Sequence, residues 1–177
     1  MIELLRQRRS IRKFTDHKIE VEKIRLLEEA VLRSPSSKNG NPWEFLFIDD
    51  LALIQQLSQS KPHGAAFLKN APLAVIVLAD ENKGDVWVED CSIASILLQL
   101  TAQSLALGSC WVQIRKRQHN ETQSAEQFIQ HLFKLPENLR ILSIIGIGYP
   151  AQIRDGKPFD ALEQDKIHRN QLNPIDS

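Results

Sequence analysis

The sequence predicts an α+β fold of four or five helices interleaved with about four strands. Three observations predict it. In several segments apolar residues recur at three- and four-residue spacing, as on one face of a helix. Between these segments lie short, continuous apolar runs of strand length. The chain has 177 residues, 42% apolar and 25% charged, which suffices for one domain with a sizeable core.

Ile2, Leu4 and Leu5 predict a short first helix that delivers Arg8, Arg9 and Ser10 at its C-terminal end. Residues 15–19 are polar and read as a loop. Val21, Ile24, Leu27, Ala30 and Val31 predict an amphipathic helix over about residues 20–33, with Arg25, Glu28 and Glu29 outward. It stops ahead of Pro35, since the residue before a proline disfavours helical backbone. A polar loop over residues 34–42, bracketed by Pro35 and Pro42, runs into a strand carrying Trp43, Phe45, Phe47 and Ile48. Such loops are mostly surface turns, but one held rigid on a core strand also suits the edge of a ligand.

Residues 51–57 predict a short helix, 58–64 a loop and 65–68 a helical turn. The continuous apolar run over residues 73–79 reads as a buried central strand. The longest helix is predicted over residues 86–107, with Gly108 as a left-handed terminator. It is apolar on most sides, so it is expected to be buried in protein. Interruption by Ser95, Gln99, Thr101, Gln103 and Ser104 excludes a membrane span, which needs about 20 mostly apolar residues. A strand follows over residues 110–114. A helix then starts at Glu121 or Thr122 and uses Ala125, Phe128, Ile129, Leu132 and Phe133. A turn over residues 135–138 leads into a strand over 139–149 that contains Gly146 and Gly148. From Pro150 on, Phe159, Leu162 and Ile167 are sparse anchors without a core of their own, so this arm must pack on something else.

The 22 basic and 22 acidic residues cancel, which argues against a nucleic-acid partner. Cys91 and Cys110 lie far apart in apolar runs and read as buried free thiols. No signal-peptide pattern opens the chain, so a cytoplasmic location is the default expectation. No histidine pair has metal-ligand spacing, no Gly-x-Ser-x-Gly elbow exists, and Ser36 and Ser37 have no evident base; neither a metal site nor a protein-borne nucleophile is expected. Gly146-Ile147-Gly148 lacks a third glycine and a following helix, so it is no dinucleotide fingerprint. Those glycines read as points of close backbone approach.

Against this neutral background one stretch concentrates charge: five of the eight residues at positions 6–13 are basic, with Ser10 in their midst. Guanidinium forks bond phosphate oxygens in pairs and a hydroxyl adds a donor, so Arg8, Arg9, Ser10 and Arg12 fit a phosphate. A helix C-terminus would contribute nothing, because its dipole is negative there. An anion site without a protein nucleophile or metal suggests a cofactor that brings its own chemistry.

The order of motifs resembles one family. Arg8-Arg9-Ser10-Ile11-Arg12-Lys13-Phe14 comes first, then Ser34-Pro35-Ser36-Ser37-Lys38-Asn39-Gly40-Asn41-Pro42-Trp43. Asn70-Ala71-Pro72 enters a strand, Glu89-Asp90-Cys91 opens the long helix, and Gly108-Ser109-Cys110-Trp111 and Gly146-Ile147-Gly148-Tyr149-Pro150 close the series. This order resembles the nitroreductase family of FMN-dependent NAD(P)H oxidoreductases, over about residues 1–172, with a polar tail at 173–177.

The resemblance implies a central, mostly antiparallel sheet flanked by helices, and a homodimer with FMN at the interface and exchanged C-terminal arms. It implies electron passage from NAD(P)H through flavin N5 to a small acceptor such as a nitroaromatic or a quinone, with no obligatory catalytic side chain. Carried over by position, Arg8, Ser10 and Arg12 match the phosphate and ribityl contacts and Arg9 the second residue of that motif. Pro35, Ser36, Ser37 and Asn39 match the loop laid on the flavin by the partner subunit, and Trp111, Val112 and Gln113 the isoalloxazine contacts. Arg169, or Lys166, would complete the phosphate site. Larger members place an Asn and a Lys at the pyrimidine edge; here His63, Lys69 and Asn70 are the candidates. A non-catalytic flavin-binding protein would share all of these features.

Overall fold

Strand β2 (Leu73–Asp80) is buried along its length from Leu73 to Ala79 because both faces of the sheet are covered. In this computed structural model, which describes residues 1–172, it pairs antiparallel with β1 (Trp43–Ile48) on one side and β4 (Leu139–Gly148) on the other. Strand β3 (Gly108–Gln113) pairs antiparallel with β4, giving the order β1-β2-β4-β3. The polar tail at 173–177 lies outside the described residues.

The two-residue side-chain period divides the core. Leu73, Val75, Val77 and Ala79 face the layer made by α2 (Val21–Leu32) and α4 (Trp87–Ser104). Ala74, Ile76 and Leu78 face α3 (Leu51–Leu57) and α5 (Ala125–Phe133). A short helix α1 (Ile2–Gln7) leads in. Asp50 caps α3, and Ser124 with Gln127 forms a capping box on α5. That box sets the start of α5 at Ala125, later than the expected Glu121 or Thr122.

The end of α4 also departs from expectation. It stops at Ser104, and Gly108 belongs to β3. The terminator is Ala106, left-handed at φ 60°. The Leu107 N–H donates to the Ala102 carbonyl and the Ala106 N–H to that of Gln103, a Schellman closure. Gly108 is needed elsewhere: a Cβ there would lie 2.8 Å from that of Ile11. Its register partner Gly148 gives similar room to Pro72 and Phe14. The glycines let the basic N-terminal segment and the entry to β2 close on the sheet end.

Several apolar side chains are left uncovered among the described residues. Ile93 and Ile96 on α4 are 40% and 37% exposed. Leu5 on α1 is exposed. Beyond Pro150, Ile153, Phe159 and Ile167 are 95%, 75% and 72% exposed, so this arm makes little core with its own chain.

Candidate functional site

Arg8 ends α1 with extended backbone, and the chain then runs beside β3. Ser10 bridges Ser109 in parallel, and the Ile11 N–H donates to the Ser109 carbonyl at 2.9 Å. Extended backbone alternates its side chains. Ile11 is buried over Gly108, while Arg9 lines a cleft with Gln103, Ala106, Pro150 and Gln152. Arg8, Ser10 and Arg12 turn the other way, toward Cys110. Arg9 is therefore separated from the residues it was grouped with in sequence.

Cys110 is a buried free thiol at the centre of this convergence. Burial pushes it above its ordinary range, while Arg12, the Ser10 hydroxyl, Arg8 and Lys61 pull it down. Lys61 is itself pushed down, first by burial and then by Arg117, with Cys110 opposing. Like charges are thus crowded together. Among the described residues, none of Arg8, Arg12, Lys61 and Arg117 forms an ion pair with a carboxylate. Cations without counter-ions, next to a hydroxyl donor, fit a phosphate group.

Lys61 was not among the sequence candidates, since a lone lysine before Pro62 carries no motif. Of those candidates, Lys69 and Asn70 line a different cleft with Thr15, Asp16, Leu51 and Pro72, and His63 is exposed. Arg169 is exposed, and Lys166 pairs with Glu163 at 3.0 Å.

The β3 candidates divide between the two faces of the sheet. Val112 is buried in the α3 and α5 layer. Trp111 packs toward α2 and α4; its Nε1 donates to Gln113 Oε1 at 2.9 Å, and Gln113 Nε2 donates to the Arg115 carbonyl at 3.0 Å. Their side chains do not act as one block.

The Pro35–Asn39 loop carries a 3₁₀ turn (Ser37–Asn39). Lys38, Asn39 and Asn41 all have left-handed backbone, at φ 52°, 55° and 44°. Such conformations persist only where surroundings enforce them. The enforcing contacts are the Ser36 hydroxyl, which donates to Asn41 Oδ1 at 2.7 Å and accepts from the Asn41 N–H at 2.9 Å, and buried Asp90, whose Oδ1 accepts from the Ser37 N–H at 2.9 Å. Asp90 sits in the first turn of α4, whereas Arg9 meets Gln103 in the last. At 1.5 Å per residue the two points are about 20 Å apart. Within one chain the loop and Arg9 are thus at opposite ends of the helix.

Among the described residues no three His, Cys, Asp or Glu side chains gather as metal ligands, and no helix is long and apolar enough to cross a membrane.

A four-stranded antiparallel sheet between helical layers, with an uncompensated cation cluster on its edge strand, defines an α+β protein whose site suits a small phosphate-bearing ligand. Comparison with known proteins narrows the class. The nitroreductase family model matches residues 5–61 and 55–149, and the chain belongs to that family. A solved FMN-dependent nitroreductase from Clostridium difficile is 42% identical and superposes with a TM-score of 0.95, covering 97% of this chain and 99% of that one. A Methanothermobacter thermautotrophicus protein, provisionally named an NADH dehydrogenase/NAD(P)H nitroreductase, is 33% identical over 95% of this chain and 85% of its own length. The FMN reductase [NAD(P)H] of Bacillus subtilis is 25% identical over 97% of this chain and 75% of its own.

Proposed function

We propose that this chain is an FMN-dependent NAD(P)H oxidoreductase that works as a homodimer and reduces a small acceptor such as a nitroaromatic or a quinone. The observation that carries the reading is the convergence of Arg8, Ser10, Arg12 and Lys61 on one buried point of β3 without a carboxylate to neutralise them. Family membership gives that anion site its cofactor.

When bound, FMN supplies the redox chemistry, taking hydride from NAD(P)H and passing electrons to the acceptor. The chain's own residues bind and polarise. Arg8, Ser10 and Arg12 hold the phosphate, with charge-assisted bonds from the guanidinium groups. A cation held in place beforehand needs no reorganisation when negative charge develops on reduction. Trp111 and Gln113 supply the β3 wall against the ring, and Val112, whose side chain is buried in the other layer, offers only its backbone. No side chain acts as an obligatory acid or base.

The geometry of α4 supports a dimer. Pro35, Ser36, Ser37 and Asn39 are about 20 Å along the helix from the Arg9 end of the basic segment, which favours their reaching a ligand held by Arg8 from a second copy. The exposed Ile93 and Ile96 and the coreless arm beyond Pro150 are the surfaces such a copy would cover. Arg169 travels on that arm and can complete a phosphate site from the partner side.

Absorbance, sedimentation and turnover test the reading together. The purified protein is expected to be yellow, dimeric and active with NAD(P)H and a nitroaromatic or quinone. Colourless protein that cannot be reconstituted with FMN overturns the reading. Bound FMN without turnover with any donor and acceptor makes the chain a flavin carrier, and a monomer retaining FMN removes the shared site.

A further inference from the structure

The cation cluster exceeds what an FMN phosphate requires. A phosphate monoester brings about two negative charges at neutral pH, which Arg8 and Arg12 match. Lys61 and Arg117 are then left over, and the segment after β3 adds Arg115 and Lys116. Arg115 is engaged elsewhere, its guanidinium 5.7 Å from the centroid of the Trp87 ring. Lys116 and Arg117 are exposed and form no ion pair among the described residues, and Glu121, four residues on from Arg117, forms none with them either. In a chain of zero net charge this local surplus is specific to one place.

The segment is held in shape. Lys116 has left-handed backbone at φ 59°, and Arg117 Nη1 donates to the Lys116 carbonyl at 3.2 Å. The Arg117 N–H closes a turn on Ile114 at 3.0 Å, and the Ala125 N–H donates to the Arg117 carbonyl at 2.9 Å. His119 stacks on Phe128 with ring centroids 4.2 Å apart, and its Nδ1 lies 3.3 Å from the Ser60 carbonyl. That contact fastens the segment to the residue before Lys61. Two cations thus stand on an ordered loop at the end of β3, the strand that leads there from Cys110, with Lys61 bridging the two groups.

We propose that Lys116 and Arg117, backed by Lys61, form a second anion subsite that binds the 2′-phosphate of NADPH and makes the protein selective for NADPH over NADH. The proposal rests on the flavoenzyme reading and names its electron donor. The 2′-phosphate is the group by which the two donors differ, and a guanidinium fork beside an ammonium is suited to a phosphate monoester.

Calorimetry with adenosine 2′,5′-bisphosphate and with 5′-AMP, at low salt, tests the subsite without turnover. The bisphosphate is expected to bind at least about tenfold more tightly, as one or two charge-assisted contacts provide. The double variant Lys116→Gln/Arg117→Gln is expected to erase that difference while FMN stays bound. In turnover, the ratio of kcat/KM for NADPH to that for NADH falls about ten- to a hundredfold in the variant. Equal binding of the two nucleotides by the wild type, a preference that survives the double substitution, or equal loss with both donors overturns the proposal. So does a variant whose KM rises only for a carboxylated acceptor such as 4-nitrobenzoate, which would assign the cations to the acceptor. Failure to load FMN sinks the flavoenzyme reading instead, and the nucleotide titration still decides the subsite on the FMN-free chain.

Discussion

The Ile11 N–H donates to the Ser109 carbonyl at 2.9 Å. This bond docks the basic segment on the edge of β3 and sets its alternation. Ile11 is pinned inward over Gly108, so Arg8, Ser10 and Arg12 share one side and Arg9 the other. The candidate anion site is thus aimed by a backbone contact between residues almost a hundred positions apart.

Replacing Arg8 and Ser10 together by alanine is expected to weaken FMN binding by roughly thirty- to several-thousand-fold, a loss of about 2–5 kcal/mol for two contacts to a charged group. Arg9→Ala, on the opposite side, is expected to change affinity by less than about threefold, the scale of a single exposed charge. Fluorescence titration with FMN checks both; equal losses would mean that the alternation does not govern binding.

Two neighbouring substitutions should act with opposite signs. Gly108→Ala drives a methyl group against Ile11 and is expected to cost about 1–3 kcal/mol, the range for overpacking, and to loosen FMN as the basic segment shifts. Ala106→Gly relieves the left-handed alanine that ends α4 and is expected to add about 0.5 kcal/mol, the penalty of about 1 kcal/mol less the greater unfolded freedom of glycine. Urea midpoints measured side by side decide. A stabilising Gly108→Ala would contradict the close approach.

Glu126 is a structural tie remote from the site. Its carboxylate accepts Arg140 Nε at 3.0 Å, Arg140 Nη2 at 2.8 Å and the Ile141 N–H at 2.7 Å. Glu126→Ala is expected to cost about 2–3 kcal/mol, the scale for stranding donors that served a charged acceptor. Arg140 keeps Glu81 at 2.9 Å, and FMN affinity is expected to be unchanged. Denaturation and FMN titration on one sample separate the two effects.

Alkaline stability should depend on Cys91. Its thiol is pushed up to about 12, chiefly by burial and then by Asp90, from an ordinary 9.0. The folded state keeps the proton longer than the unfolded chain does. The stabilising contribution is therefore intact below about pH 9 and is lost as pH rises toward 12, at about 1.4 kcal/mol per unit within that window. Cys91→Ala is expected to flatten the fall of the urea midpoint above pH 9. A slope identical to wild type would show that the thiol does not titrate with unfolding.

Much of the fold was legible because its signals are local. The run Leu73–Asp80 can only be a covered strand, α3 and α2 follow apolar periodicity, and the sparse anchors beyond Pro150 betray an arm without a core. The two errors at helix ends have one kind of cause. Gly108 looked like a helix stop, but packing against Ile11 claimed it and left Ala106 to close α4. The start of α5 was set by a Ser124–Gln127 cap that the apolar pattern alone does not reveal.

The sequence by itself determined the α+β class and the family, and marked the basic segment as the candidate phosphate site, because composition, periodicity and motif order are written along the chain. Only the tertiary structure decided which groups share a site. It brought Lys61 close to both Cys110 and Arg117, set Arg9 apart, split Trp111 and Gln113 from Val112, and put the Ser37 loop at the far end of α4 from Arg9. The physical reason is that convergence depends on strand register, side-chain alternation and helix length acting between distant segments, and none of these relations leaves a mark on any one stretch of sequence.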